Sequence, residues 1–187
     1  IWAVPKIVER LSVPDLEVIG EAPSFSFTNQ NNQVVTDEDY KGKVYVVEFF
    51  FTTCPTICPK MNENMVKVQD EFFGNKNFGI ASFTINPEKD TPEVLKEYAD
   101  EYGVSNPNWH MLTGNRKDIY NLANNGYNLY VGINPEIVDG FEHSGYFALV
   151  DQEGNIRSRK DEFGNPIVYY NGLEPKEINM LKEDIKK

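Results

Sequence analysis

Sulfur and imidazole are scarce in this chain, whose 187 residues include two cysteines, two histidines and four methionines. Two cysteines build neither a zinc ribbon nor a disulfide framework, and a chain of this length buries a core without either. Long apolar runs are missing as well: no window approaches the ~20 residues a membrane span needs. Positive charge is in deficit, with 18 Lys and Arg against 29 Asp and Glu and a net charge of -11. That excludes the basic face nucleic acid requires and disfavours anionic lipid headgroups. A metal ion, a cationic partner or another protein remains compatible with it. Repeats, low-complexity tracts and internal linkers are also absent.

The hydrophobic fraction of 40% and aromatic fraction of 13% support an ordered globule. One domain is expected over residues 21–187. Residues 1–20 (IWAVPKIVERLSVPDLEVIG) mix apolar side chains with Pro and charge, like a tether leading into it. The chain begins at Ile1 rather than Met. The expectation is that an upstream segment has been removed: a signal peptide, a lipid anchor or a membrane helix.

The segment 24–36 (SFSFTNQNNQVVT) predicts two short strands around an Asn/Gln turn. KVYVVEFFF, residues 43–51, suits a central strand covered on both faces. A helix is expected after the second cysteine, because Met61, Met65, Val68 and Phe72 recur at helical spacing and Gly74 can end it. FGIASFTI (78–85) predicts a second buried strand. Thr91, Pro92 and Glu93 open a helix running to Tyr102, with Leu95, Tyr98 and Tyr102 on one face. A further helix is expected over about 115–123, a hairpin from GYFALV through DQEGN to IRSR, and a closing amphipathic helix over 174–185. Strand-helix alternation followed by a hairpin and a last helix predicts an α/β three-layer fold with a central mixed sheet. The pattern fits a thioredoxin-like core with an extra N-terminal β-hairpin and a late hairpin.

Both cysteines lie in FFFTTCPTICPKM, residues 49–61, where such a core places redox cysteines. If the helix has begun by Cys54, the i, i+4 spacing sets Cys54 and Cys58 on one face. Pro55 and Pro59 lack an N–H, which costs least in a first helical turn. The helix N-terminus favours thiolates, which serve disulfide exchange and soft-metal binding alike. The competing reading is a buried structural disulfide or two inert core thiols. Of the histidines, His110 in NWHML is read as a surface or packing residue. His143 precedes the strand at Gly145, in a loop that can approach the cysteines if the fold permits. Two thiolates and one imidazole are too few for a closed zinc site but suit copper, as Cu(I), Cu(II) or both.

Four blocks in order carry a resemblance: FFFTTCPTICPKM, FTINPEKDTPEVLKEYADEYG, NWHMLTG and FEHSGYFALVDQEGNIR. Together they resemble the Sco/SenC family of copper-binding, thioredoxin-fold assembly proteins for cytochrome c oxidase, over roughly residues 20–185. The resemblance implies that Cys54, Cys58 and His143 are copper ligands. It implies an extracytoplasmic domain, on the periplasmic face of the inner membrane, held by an N-terminal anchor. The implied partner is the copper-bearing subunit of the oxidase, or another copper or thiol-disulfide protein, and the implied task is metallochaperone. The alternative task is thiol-disulfide oxidoreductase, with Cys54 and Cys58 as the catalytic redox pair, Cys54 as nucleophile and His143 tuning their pKa. Nothing in the sequence argues for a peroxidase. Three positions depart from the family: Thr56 and Asn86 stand where acids are common, and Glu142 replaces the usual Asp. Asp90 is retained and is read as a cap for the following helix in preference to a docking acid.

Overall fold

The computed structural model describes residues 15–137 and 140–187, so most of the expected tether lies outside the described residues. The first strand, β1 (Glu17–Glu21), takes up the end of that stretch and pairs antiparallel with a strand near the C-terminus. It is an edge strand with Val18 and Ile19 exposed, and so lacks the alternation that marks a strand in sequence. The expected hairpin follows as β2 (Ser26–Asn29) and β3 (Val34–Thr36).

The apolar run forms β4 (Val44–Phe50), buried from Tyr45 to its end. The helix after the cysteines is α1 (Cys58–Glu71), with Met61, Met65 and Val68 fully buried, and Gly74 follows at φ 78°. Next come β5 (Phe78–Thr84) and α2 (Pro92–Tyr102), whose cap is Thr91, its hydroxyl accepting the Val94 N–H at 3.4 Å. After β6 (Trp109–Thr113), helix α3 (Arg116–Asn121) is capped by Asn115 and passes into a π-helical turn over Leu122–Tyr127. The short pair β7 (Val131–Ile133) and β8 (Phe141–His143) stands apart from the main sheet. The chain closes with β9 (Tyr146–Val150), β10 (Asn155–Ser158), β11 (Tyr170–Asn171) and α4 (Pro175–Ile185).

The main sheet runs β1-β10-β9-β4-β5-β6-β2-β3, with β11 paired to β9. Strands β4, β5 and β6 are parallel, and β9 runs antiparallel to β4, with Val46 opposite Leu149. Adjacent residues of a strand point to opposite faces, and β4 shows what covers each one. Phe50 meets Tyr98 of α2, while Phe49 meets Tyr127 of the π-helical turn. Helical structure therefore covers both faces of a mixed sheet, the α/β architecture expected from the sequence. Parallel β4 and β5 also leave their C-terminal ends side by side, at the edge where α1 and α2 begin.

Candidate metal centre

The cysteine segment is the link between β4 and α1. The ladder reaches Phe50, whose carbonyl accepts the Ile85 N–H at 2.8 Å, and the chain then turns, with the Cys54 N–H on the Phe51 carbonyl at 3.2 Å. Helix α1 starts at Cys58, not at Cys54, with Pro59 in its first turn and the Met61 N–H bonded to the Ile57 carbonyl at 3.0 Å. The condition for a shared i, i+4 helix face is thus not met: Cys54 lies in the turn and Cys58 opens the helix. Pro55 contributes to this, because a proline disfavours helical backbone in the residue before it. The sulfurs converge nonetheless, across a turn rather than along a helix face.

His143 reaches them from β8. The β7–β8 hairpin sets Val131 opposite His143, and the Ser144 N–H bonds the Tyr130 carbonyl at 3.0 Å. The ring lies edge-on to Phe51, with centroids 5.8 Å apart, and Phe51 in turn meets Phe141. Nδ1 is 3.1 Å from the Ser144 carbonyl. A carbonyl only accepts, so Nδ1 carries a proton and Nε2 is the ring atom turned to the sulfurs. That Nε2 lies 3.1 Å from Cys58 Sγ, and the ligating atoms of Cys54, Cys58 and His143 all fall within 4.8 Å of one another.

Both cysteines are free thiols, Cys58 fully buried and Cys54 7% exposed. Their protons are coupled. Cys54 is held far below the ordinary thiol range, first by the hydrogen bond with Cys58, and then, against the opposing effect of burial, by His143 and the amides of Cys58 and Thr56. Burial drives Cys58 strongly upward, and the bond with Cys54 and the charge of Cys54 add to it. Cys54 is thus the more acidic of the two sulfurs. Beside it runs an open groove of about 470 Å³, lined by Phe51, Cys54, Pro55, Ile57, Ile137 and Phe141, with Glu136 and Glu142 at its rim.

The remaining sequence candidates are placed as follows. His110 sits on β6 with its Nδ1 accepting from the Asn29 amide at 3.1 Å and its ring edge-on to Tyr40, so it packs as expected. Thr56 is exposed, its hydroxyl 3.7 Å from Cys54 Sγ. Glu142 accepts from the Tyr130 hydroxyl at 3.4 Å. Asn86 is buried, and its Nδ2 has no partner among the described residues. Asp90 is not the cap of α2: it is fully buried and bonds Thr52 and Thr84, while Thr91 caps the helix.

Two buried groups near α1 escaped the sequence reading. Glu48 is fully buried on β4, with Oε1 accepting from Ser82 at 2.6 Å and Oε2 unpartnered among the described residues. Asn62 donates to the Cys58 carbonyl at 3.1 Å and to the Tyr98 hydroxyl at 3.0 Å. The signal for Glu48 was there: one acid inside an apolar run. Asn62 left no comparable mark.

Comparison with known proteins agrees with this geometry. The family model SCO1/SenC matches residues 17–175. The SCO1 protein homolog of Bacillus subtilis is 34% identical over 168 residues, covering 89% of this chain and 81% of the relative. Among solved structures, a SCO1/SenC family lipoprotein from Bacillus anthracis superposes with a TM-score of 0.77 at 31% identity, covering 89% of this chain and 94% of that one. BsSco, described as a member of the Sco family of cytochrome c oxidase assembly proteins with a disulfide switch, superposes with a TM-score of 0.73 at 30% identity, covering 91% and 94%. Bradyrhizobium japonicum ScoI, solved with copper bound, shares the fold with a TM-score of 0.67 at 23% identity, covering 87% and 98%. Matched along nearly its whole described length, and carrying two cysteines and a histidine drawn together from β8 and the β4–α1 link, the chain belongs to the SCO1/SenC family.

Proposed function

We propose that this protein is a copper metallochaperone in the assembly of the copper centre of cytochrome c oxidase, holding its cargo ion through Cys54, Cys58 and His143. The carrying observation is the convergence of two sulfurs and an imidazole nitrogen within 4.8 Å. Two soft sulfurs suit Cu(I), and an added imidazole tolerates Cu(II). Three donors leave a structural zinc site incomplete. The family supports the assignment, since BsSco is grouped with oxidase assembly proteins and ScoI binds copper. The partner in this reading is the copper-bearing oxidase subunit, meeting the protein over the groove beside Cys54. The domain works outside the cytoplasm on an N-terminal anchor. The lipoprotein relative supports that placement, and among the described residues no helix is long and apolar enough to cross a membrane.

Thiol-disulfide exchange would use the same sulfurs, yet it needs no third donor, and His143 presents one. The deciding experiment is an anaerobic Cu(I) titration of the reduced protein against a chromophoric chelator, with His143→Ala alongside. One tight equivalent is expected for the wild type, weakened in the variant by more than the ~10-fold that loss of an outer support costs a metal site. Absence of a tight equivalent in the reduced wild type overturns the assignment and leaves exchange chemistry.

A further inference from the structure

Asp90 immediately precedes the cap of α2, yet its side chain serves the cysteine turn. Its Oδ2 accepts the Thr52 N–H at 3.1 Å and the Thr84 hydroxyl, and its Oδ1 accepts the Thr52 hydroxyl at 2.5 Å. All three donors are neutral, and two belong to the residue two positions before Cys54. A fully buried carboxylate held by neutral donors is costly to keep.

We propose that Asp90 is a positioning residue for the metal centre: it clamps the Phe51–Cys54 turn so that Cys54 Sγ faces Cys58 and His143 before copper arrives. The β4–β5 ladder stops at Phe50 and Ile85, so the Thr52 N–H is an amide the sheet no longer serves. The turn closes on the Cys54–Phe51 bond of 3.2 Å, a weak hold for a side chain that must keep its direction. Asp90 supplies the rest, and it is itself anchored. Its N–H bonds the Asn86 carbonyl at 3.0 Å, and the Asn86 N–H bonds Thr84 Oγ1 at 3.0 Å. The network joins the end of β4, the end of β5 and the entry to α2. A ligand set held in place from behind spares copper the cost of ordering it.

The metal arm of this proposal rests on the copper reading, so the test carries a second, metal-free arm. Asp90→Ala, Asp90→Asn and Thr52→Val are each compared with wild type in two measurements on reduced protein. These are Cu(I) affinity by chelator competition and, without metal, the rate of thiol alkylation by iodoacetamide at fixed pH. Asp90→Asn preserves the clamp: its Oδ1 can take the Thr52 N–H and the Thr84 hydroxyl, while its amide donates to the Thr52 hydroxyl. Asp90→Ala is expected to weaken copper roughly 10-fold or more and to shift the alkylation rate, and Asp90→Asn to restore both. A folded Asp90→Ala protein with wild-type affinity and alkylation overturns the proposal. So does Asp90→Asn losing as much as Asp90→Ala, which would put the charge, not the clamp, at work. Should Asp90→Ala fail to fold, Thr52→Val decides. Reduced affinity at an unchanged melting temperature supports the clamp, and unchanged affinity and alkylation sink it. If the wild type binds no copper, the copper reading falls, and the alkylation rates alone judge Asp90.

Discussion

Two polar clusters in this molecule are finished to different degrees. Between β10 and α4, the Asp184 carboxylate is saturated. Oδ2 takes Arg159 Nε at 2.7 Å and the Tyr170 hydroxyl at 2.7 Å, and Oδ1 takes Arg159 at 3.0 Å and Lys187 at 2.6 Å. The same Arg159 Nη2 also donates to the Met180 carbonyl and to Glu183, each at 2.9 Å. Donors meet an acceptor there, and the Asp184 carboxylate keeps no oxygen bare. At the end of β4, three potential ligand atoms face one another, those of Cys54, Cys58 and His143, with no fixed positive charge among them. Converging donors of this kind are what a bound cation or a disulfide would join. The first cluster reads as a staple and the second, under the proposed function, as a site, and substitutions in the two should have opposite signatures.

The largest expected effect breaks the staple. Asp184→Ala leaves the partly buried Arg159 guanidinium with Glu183 as its remaining carboxylate, which costs about 3 kcal/mol of stability. Copper affinity should not move. Chemical denaturation with a parallel Cu(I) competition checks both; a variant that loses affinity while keeping stability would invert the comparison. The same cluster sets an acid limit. Burial alone would raise the Asp184 carboxyl, but hydrogen bonds from Arg159, Lys187 and Tyr170 outweigh it and hold it below its ordinary value of 3.8. This contribution is fully present above the unfolded value and is lost as pH falls through the lower folded one.

Glu48 lies between the two cases, with one oxygen bonded and one bare. Burial pushes its carboxyl up from 4.5 to about 7, against the Ser82 bond that lowers it. Folding then takes up a proton. The contribution is complete below the unfolded value and disappears as pH rises through the folded one, costing on the order of 3 kcal/mol by pH ~8. Glu48→Gln removes the titration, so the decline in urea-midpoint stability across that window should flatten by about this amount. An unchanged slope would show that Glu48 ionises normally.

What the sequence disclosed follows the same division between dense local signals and contacts made by topology. The β4 run, the Met61–Phe72 stripe of α1 and the Thr91–Pro92 helix start each carry their own physics within a few residues, and all appear as expected. Strand β6 did not show: Asn and Pro precede it, and His110 interrupts a span of only five residues. Strands β7 and β8 have three residues each, too short for an alternation to register. Helix α1 starts at the second cysteine as expected, so the condition that would have put both sulfurs on one helix face is not met. Asp90 looked like a cap because an acid before Thr-Pro usually is one, and only the folded chain brings Thr52 beneath it. The approach of His143 to the cysteines was suggested by its place before a strand; a family resemblance named it, and the β7–β8 hairpin delivers it.

The smallest expected effect is the sharpest test of the comparison. His143→Ala removes one bond to the Ser144 carbonyl, one contact to Cys58 and an edge-on ring contact with Phe51. The ring is only half-buried and borders an open groove, so water can enter as it leaves. A net hydrogen bond is worth about 1 kcal/mol and the aromatic pair about as much again at most. Against this, water entering from the groove can replace both hydrogen bonds. The metal-free variant should therefore melt within about 1 kcal/mol of wild type, although the same change is the one expected to cost most in copper affinity. A metal-free destabilisation as large as that of Asp184→Ala would mean that His143 is part of the structure's own bonding, and that the end of β4 is a second staple.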